Sequence, residues 1–172
     1  MRTLATAVIA LAATSLSAAG LAFTAPPAWK TVPTSSNMRV AQFALPGAAG
    51  AADAELIVYY FGGSGGSVAA NMDRWIGQMQ QPDGRPSKDV AKQRTRTING
   101  LTATMIDLTG TYIAEMTPGS PGRHNSPNYR LRAVVVETPR GPYFIKLTGP
   151  AATVASHERS FEQFLGTLRY TP

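Results

Sequence analysis

Three groups of residues in this chain have the types and spacing needed to bind a ligand, and the first is a glycine-rich turn. The sequence FGGSGGS (61–67) joins an apolar run to a helical pattern. N–H groups at the start of a helix can hold an anion, so Ser64, Gly65, Gly66 and Ser67 are candidate binding residues. The turn lacks the Lys-Ser/Thr pair of a phosphate-binding loop, the GxGxxG order of dinucleotide folds and the GxSxG spacing of a hydrolase nucleophile. We therefore favour a structural role, in which its glycines adopt positive φ angles.

The second group is basic and alternates along one predicted strand. Lys92, Arg94 and Arg96 are two residues apart, so their side chains fall on the same side of a sheet. They form a candidate surface for anionic lipid headgroups, cell-wall polyanions or an acidic partner. Charged side chains also protect an edge strand against aggregation, and this is the role that we favour.

The third group, Arg123 and His124, lies in a loop (117–128) that contains three prolines and two glycines. Long irregular loops in compact domains are often functional, so both residues are candidates for the wall of a small-ligand cleft. The other histidine, His157, falls on the apolar side of a predicted helix, and we interpret it as a residue at the edge of the core. Two histidines and no cysteine give little basis for a zinc site. We predict no metal site and no cofactor.

Residues 1–19 have the pattern of a secretory signal peptide. A cationic start at Arg2 precedes an apolar run (4–13), and small residues end at Ala19. The run is shorter than the roughly 20 residues of a membrane-spanning helix, so no transmembrane segment is expected after cleavage. We predict a periplasmic or secreted protein. With no cysteine, the domain has neither a lipid-modified cysteine nor disulfides, and packing alone must stabilise it.

The net charge of the chain limits the classes of binding partner that are expected. The formal net charge is +6 over 172 residues, which is moderate for a protein of this size. Export argues against a nucleic-acid partner. The predicted partners are therefore an envelope protein or an anionic surface.

Apolar periodicity predicts the elements that must position these groups. A segment apolar on both alternating faces, 55–61, predicts a strand covered on both sides. Ser67 is a predicted N-cap for a helix over 68–79. The last third of the chain predicts a hairpin (129–137 and 143–148) followed by a helix with large apolar residues on one face, namely Val154, Phe161, Phe164, Leu165 and Leu168.

The remaining segments predict further strands. Residues 38–45 form the first, and 91–98 and 101–108 form a hairpin turned at Asn99-Gly100. Gly110 is interpreted as a break before a returning strand (111–116). Residues 20–37 are predicted to be an extended N-terminal segment that leads into a single domain (38–172), with Trp29 docked on it. The fold class is α+β, a mostly antiparallel sheet covered by two helices.

One run resembles a known superfamily. GPYFIKLTGPAATVASHERSFEQFLGTLR (141–169) is similar to the closing strand and helix of PsbP-like proteins, which include the photosystem II accessory protein and the Ran-binding Mog proteins. Together with PPAWKTVP, LIVYYFGGSGGSVAANMDRWIGQM and NYRLRAVVVET, it resembles a family of exported bacterial proteins of unknown function. The resemblance implies an α/β/α sandwich, and it brings no functional residue with it.

Two functional hypotheses follow. The first is a non-enzymatic exported accessory module of the periplasm or cell envelope, which binds a partner protein or an anionic surface. The alternative is a small-ligand-binding protein or weak hydrolase that uses the glycine-rich turn and the 117–128 loop as the two walls of a cleft. We favour the first.

Overall fold

The computed structural model of the chain describes residues 15–18, 20–48 and 50–172. Its elements, in chain order, are β1 (Ser15–Ala18), β2 (Leu21–Thr24), β3 (Lys30–Thr31), β4 (Arg39–Leu45), β5 (Ala54–Tyr60), α1 (Val68–Ile76), β6 (Met79–Gln80), α2 (Ser87–Val90), β7 (Lys92–Ile98), β8 (Leu101–Tyr112), β9 (Ser126–Val136), β10 (Tyr143–Pro150), α3 (Ala151–Ser156), α4 (Glu158–Gly166) and β11 (Arg169–Tyr170).

An antiparallel sheet forms the middle of the domain. Its strand order is β3-β4-β5-β10-β9-β8-β6, and β7 pairs with the same edge of β8 as β6 does. β5 and β10 lie at its centre, as the doubly apolar pattern of 55–61 predicts. A smaller sheet, β1-β2-β11, is also antiparallel.

The first face of the large sheet is covered by α3, α4 and β2. Leu56 and Val58 of β5 are fully buried there. They belong to the same hydrophobic cluster as Phe161 and Phe164 of α4. Trp29 is docked on the domain as predicted, with its ring 5.3 Å from that of Phe164. All the large apolar residues predicted for the last helix belong to this cluster, so the predicted apolar face is confirmed.

The second face is covered over part of its width by α1. Met72 and Trp75 of this helix pack on Ile106, Val135 and Phe144. α1 begins as predicted, because the Ser67 hydroxyl accepts a hydrogen bond from the backbone N–H of Ala70. The helices on the two faces make the domain an α/β/α sandwich, and the α+β fold class is confirmed.

The turn between β7 and β8 is also confirmed. Asn99 and Gly100 have φ angles of 47° and 82°, which are those of the two-residue turn that favours an Asn-Gly pair. The Asn99 side chain donates hydrogen bonds to the carbonyl oxygens of Gly166 and Leu168. The turn therefore also fixes the end of α4 to the sheet.

The predicted strand break at Gly110 is wrong. β8 continues through this residue to Tyr112, and residues 111–116 form no returning strand. A side chain at Gly110 would place its Cβ 2.6 Å from the carbonyl oxygen of Gln80. The glycine is needed because β6 passes close to it, and the sequence alone does not distinguish this close approach from a turn.

The two predicted helices differ from the structure at their boundaries. α1 ends at Ile76, and Met79 enters the core from β6 instead of from the helix. The last helix is divided into α3 and α4 at His157, whose Nε2 lies 2.9 Å from the carbonyl oxygen of Pro46. α2 adds a helical turn in a segment with no predicted element.

Most of the predicted signal peptide, residues 1–14 and 19, lies outside the described residues. The last part of the predicted signal peptide, Ser15–Ala18, forms β1 and pairs with β2. β2 itself lies in the segment 20–37, which was predicted only to be extended. β2 buries Leu21 and Phe23 in the core. In the described part of the chain, every helix is too short or too polar to cross a membrane.

Candidate functional site

A cleft of about 530 Å³ lies on the second face of the sheet, beside α1. Its floor is formed by β5 and β10, which contribute Ile57, Tyr59 and Lys146. Its walls are the C-terminal end of α1, the end of β8 and the loop that follows β8. The apolar second face of β5 is therefore the floor of a cavity where α1 does not cover it. We call this cavity the cleft.

Lys146 lies in the floor of the cleft. It is directly opposite Ile57 in the β5–β10 register, and its Nζ donates hydrogen bonds to the Gln78 side-chain oxygen (2.5 Å) and the Tyr112 hydroxyl (2.9 Å). Nζ also lies 5.0 Å from the centre of the Tyr112 ring. Both hydrogen-bond acceptors are neutral, and no carboxylate of the described residues reaches this ammonium group at ion-pair distance.

The position of Lys146 changes its acidity. Burial lowers the pKa of Lys146 from 10.5 to about 8; Glu55 opposes this change, and the charges of Arg74 and Arg39 reinforce it. Burial also raises the pKa of Tyr112 to about 12. At neutral pH the cleft therefore holds a cationic lysine and a neutral tyrosine, and the lysine loses its charge more easily than an exposed one would.

Arg39 faces the cleft because of a β-bulge. The register of β4 on β5 shifts between Arg39 and Ala41, so that Arg39 lies opposite Tyr59. Without the extra residue, Arg39 would lie opposite Tyr60, whose side chain packs on the first-face core. Bulges redirect side chains in this way. The guanidinium lies 5.9 Å from the centre of the Tyr59 ring.

Two arginines, Arg39 and Arg74, line the cleft beside Lys146, and hydrogen bonds to neutral side-chain amides position both of them. Arg39 donates to the Gln42 side chain, which in turn donates to Glu55. Arg74, at the end of α1, donates to the Asn71 side chain. Among the residues that the structure describes, no carboxylate pairs directly with either guanidinium, so both charges remain available to the cleft.

The predicted loop residues Arg123 and His124 line this cleft. The backbone N–H of His124 donates to the Ala114 carbonyl oxygen, and its ring lies 5.1 Å from that of Tyr112. Arg123 lies 3.7 Å from Glu115 and is mostly exposed. The predicted loop therefore forms one wall of a cleft, although in the structure it ends at Asn125, because β9 begins at Ser126.

The glycine-rich turn lies elsewhere. Ser67 caps the N-terminus of α1, whereas the cleft is at the C-terminal end of this helix, about 13 Å away for nine residues. A Cβ on Gly65 would lie 2.3 Å from the Phe144 ring, and Gly66 has a φ of 80°. Gly66 therefore adopts the expected positive φ angle, whereas Gly65 lacks one and lies in close contact with the Phe144 ring. Ser64 lies in the same turn, and the structure does not bring it to the 117–128 loop.

The basic strip lies on the first face of the sheet, at the edge formed by β7. Arg94 and Arg96 both pair with Glu162 of α4, at 3.2 and 2.7 Å, and Arg132 joins them at 2.7 Å. Burial acts to raise the pKa of Glu162, but hydrogen bonds from Arg132 and Arg96 outweigh it and lower the pKa. Lys92 is exposed at the end of the same row. Two of the three predicted charges are therefore used to attach α4 to the sheet.

A second cavity of about 450 Å³ adjoins the cleft. The two share Tyr59, Lys146 and four other lining residues, namely Arg39, Arg74, Gln78 and Pro118. The lining that belongs to the second cavity alone is uncharged and includes Met38, Phe61, Trp75 and Phe144. We call this second space the apolar cavity.

Sequence reasoning missed Lys146, Arg39 and Arg74. A signal for Lys146 was present, because it is the charged residue within the apolar run YFIKLT of a predicted central strand. Such a residue is costly unless it has a partner or a function. Arg39 and Arg74 carry no comparable signal. Among the described residues, no group of three or more His, Asp or Glu side chains is placed to hold a metal ion.

Comparison with known proteins finds similar solved structures. PA94 of Pseudomonas aeruginosa, of unknown function, is 21% identical with a TM-score of 0.53, over 82% of this chain and 90% of that one. Cyanobacterial PsbP (CyanoP) from Synechocystis is 11% identical with a TM-score of 0.53, over 97% and 98% of the two chains. LpqN, involved in cell envelope biogenesis of Mycobacterium tuberculosis, is 10% identical with a TM-score of 0.54, over 92% and 90%.

No protein-family model matches the chain, and the search of curated proteins gives no significant match. The structural matches extend over most of each chain and agree with the central antiparallel sheet between helical layers. They show that this chain has a PsbP-like α/β/α fold.

Proposed function

We propose that the protein is an exported, non-enzymatic binding module of the periplasm or cell envelope, and that its cleft binds a small anionic ligand. The observation that carries this proposal is Lys146, an ammonium group held by neutral acceptors in the floor of a cavity. Removing a charge from water without an opposite charge is unfavourable. An anion bound above Lys146 would supply the missing partner.

The charge of the whole cleft supports the same ligand class. Four basic side chains line it, together with His124, against the two carboxylates of Glu55 and Glu115. Glu115 already pairs with Arg123 and Glu55 accepts a hydrogen bond from Gln42. The positive charge near Lys146 is therefore in excess, and a cavity of this volume is within the range of ligand sites.

The cleft is favoured over the basic strip as the binding surface. Arg94 and Arg96 of the strip both pair with Glu162, whereas Lys146, Arg39 and Arg74 have no direct carboxylate partner among the described residues. A surface interaction through the strip would have to compete with these ion pairs.

Export and an envelope role are supported by the sequence and by one structural neighbour. The signal-peptide pattern of residues 1–19 predicts export. LpqN, which has the same fold, is involved in cell envelope biogenesis. Fold likeness at this identity carries no site residues, so the ligand must be identified from the cleft itself.

The test is a titration of the mature protein with octanoate and with inorganic phosphate, in which calorimetry measures the affinity and NMR detects the residues affected. We expect at least one of these anions to bind and to shift the resonances of Tyr59, Tyr112 and Lys146. Lys146→Met should weaken binding at least tenfold, and Lys88→Met, on the exposed α2, should leave it unchanged. Equal loss in both variants, or failure of both anions to bind, contradicts the proposal. Ester or phosphoester turnover that is abolished by His124→Ala would instead support a hydrolase.

A further inference from the structure

We propose that the ligand of the cleft is a single-chain amphiphile with one anionic head group, which is bound by Lys146, Arg39 and Arg74 while its apolar chain occupies the apolar cavity. This inference rests on the proposed function, and it names the ligand class of the same site.

The positions of the cations support one head group at one place. Lys146, Arg39 and Arg74 line both the cleft and the apolar cavity, so they lie where the two spaces meet. Beyond this junction, the charged side chains of the cleft are Glu55 and the Glu115–Arg123 ion pair, which offer no excess of positive charge to a second anionic group. A ligand with a single anionic group therefore fits the junction, and the rest of the ligand has to lie on the other side.

The apolar cavity suits a hydrocarbon chain. Trp75 and Phe144, both nearly fully buried, contribute to its lining together with Tyr59 and Phe61, whose rings are stacked 6.0 Å apart. Of the residues that line this cavity alone, four are apolar or aromatic, three (Ser35, Ser36 and Thr117) carry a hydroxyl group, and none bears a charge. Polar groups of a ligand would lose hydrogen bonds to water here, whereas methylene groups would gain from leaving water.

Two exposed methionines allow the roles of the apolar cavity and the cleft to be tested separately, because each lines one of the two spaces. Met38 is 52% exposed and lines the apolar cavity, and Met116 is 63% exposed and lines the cleft. In the part of the chain that the structure describes, Met38 and Met116 are the large hydrophobic residues that are exposed to solvent. Flexible methionine side chains adapt to apolar ligands of varied shape. Met38 is placed to cover a bound chain, and Met116 is not.

The experiment measures the affinity of the mature protein for hexanoate, octanoate, decanoate and dodecanoate, below the concentrations at which they form micelles. Calorimetry gives the dissociation constant, and tryptophan fluorescence in a Trp29→Phe background, where Trp75 at the cavity wall is the remaining tryptophan, reports occupancy. We expect affinity to rise with chain length, by up to about fourfold per methylene, the factor that corresponds to about 0.8 kcal/mol per buried CH₂. Decanol should bind at least tenfold more weakly than decanoate at pH 7.

The matched variants are Met38→Ser and Met116→Ser, which both replace an exposed methionine and should not affect folding. Met38→Ser should reduce the gain in affinity per methylene, and Met116→Ser should leave it unchanged. Anion binding without a dependence on chain length would overturn this inference and leave the proposed function intact. Absence of binding by every alkanoate and by phosphate would overturn both. Equal binding of decanol and decanoate would overturn the assignment of the head group.

Discussion

Replacing Lys146 by methionine should stabilise the protein at neutral pH. Methionine is close to lysine in length and removes only the charge and its hydrogen bonds. The fall in the pKa of Lys146 from 10.5 to about 8 corresponds to at most about 3 kcal/mol of unfavourable free energy, at about 1.4 kcal/mol per pH unit. Gln78 and Tyr112 lose a donor, but both are partly exposed and can bind water instead. We expect a net stabilisation of about 1–3 kcal/mol.

The pH dependence identifies the origin of this stabilisation. Because the pKa of Lys146 is lower in the folded protein than in the unfolded chain, the unfolded chain binds more protons between pH 8 and 10.5, and stability rises with pH in that range. The penalty is complete below pH 8. The difference between Lys146→Met and the wild type should therefore shrink by about 2 kcal/mol from pH 7 to pH 9.5.

The measurement is urea unfolding of both proteins at pH 7 and pH 9.5, followed by tryptophan fluorescence. Comparing the two proteins at each pH cancels the other titrating groups, including Tyr59 and Tyr112, which titrate at higher pH because burial raises their pKa values. Lys88→Met serves as the control and should show no such change. A variant that is less stable than the wild type at pH 7 would refute the reasoning, and so would a difference that does not vary with pH.

Three further predictions concern the scaffold and the ligand. Glu162→Gln should lower the free energy of unfolding by about 2 kcal/mol at pH 7. This is less than the about 3–5 kcal/mol of a fully buried pair, because Glu162 is partly exposed although Arg132 is buried. Glu115→Gln, on an exposed pair at 3.7 Å, should change the free energy of unfolding by less than about 1 kcal/mol, and equal effects of the two substitutions in urea unfolding would contradict this prediction. Gly110→Ala should cost about 1–3 kcal/mol because its Cβ meets a backbone oxygen at 2.6 Å, whereas Gly166→Ala, with open space around it, should be neutral or stabilising by thermal unfolding. Octanoate affinity should fall above about pH 8, by at most tenfold per pH unit, as the cleft lysine loses its proton; a flat calorimetric profile from pH 6.5 to 9.5 would count against an ionic contact.

The fold could be predicted from the sequence because its signals are local. The doubly apolar strand, the Asn99-Gly100 turn and the apolar stripes of two helices each lie within one short, continuous segment of the chain. Gly110 was misinterpreted because a glycine that a neighbouring strand passes closely looks the same in sequence as one that breaks a strand. A local pattern gives no information on what lies beside it.

The cleft could not be predicted because it depends on register between distant segments. Lys146 meets Ile57 only through the pairing of β10 with β5, and Arg74 arrives on a separate helix. One wall, the 117–128 loop, was recognised by its length and composition. The other wall was assigned to the glycine-rich turn, at the wrong end of α1 to contribute to the cleft.

Several departures from good packing in this domain lie at the cleft or beside it. Lys146 places a charge in a central strand, the bulge at Arg39 turns a guanidinium from the core face to the cleft, and Met38 is left exposed at the adjoining apolar cavity. The buried charge of Arg132 on the first face differs from these, because it has direct carboxylate partners in Asp107 and Glu162. Proteins tend to break packing rules where function requires it, and a bulge is a built feature rather than a defect. Since several separate elements each depart from those rules toward the same space, a requirement to bind something in that space explains them together, whereas a purely structural role would have to explain each one separately.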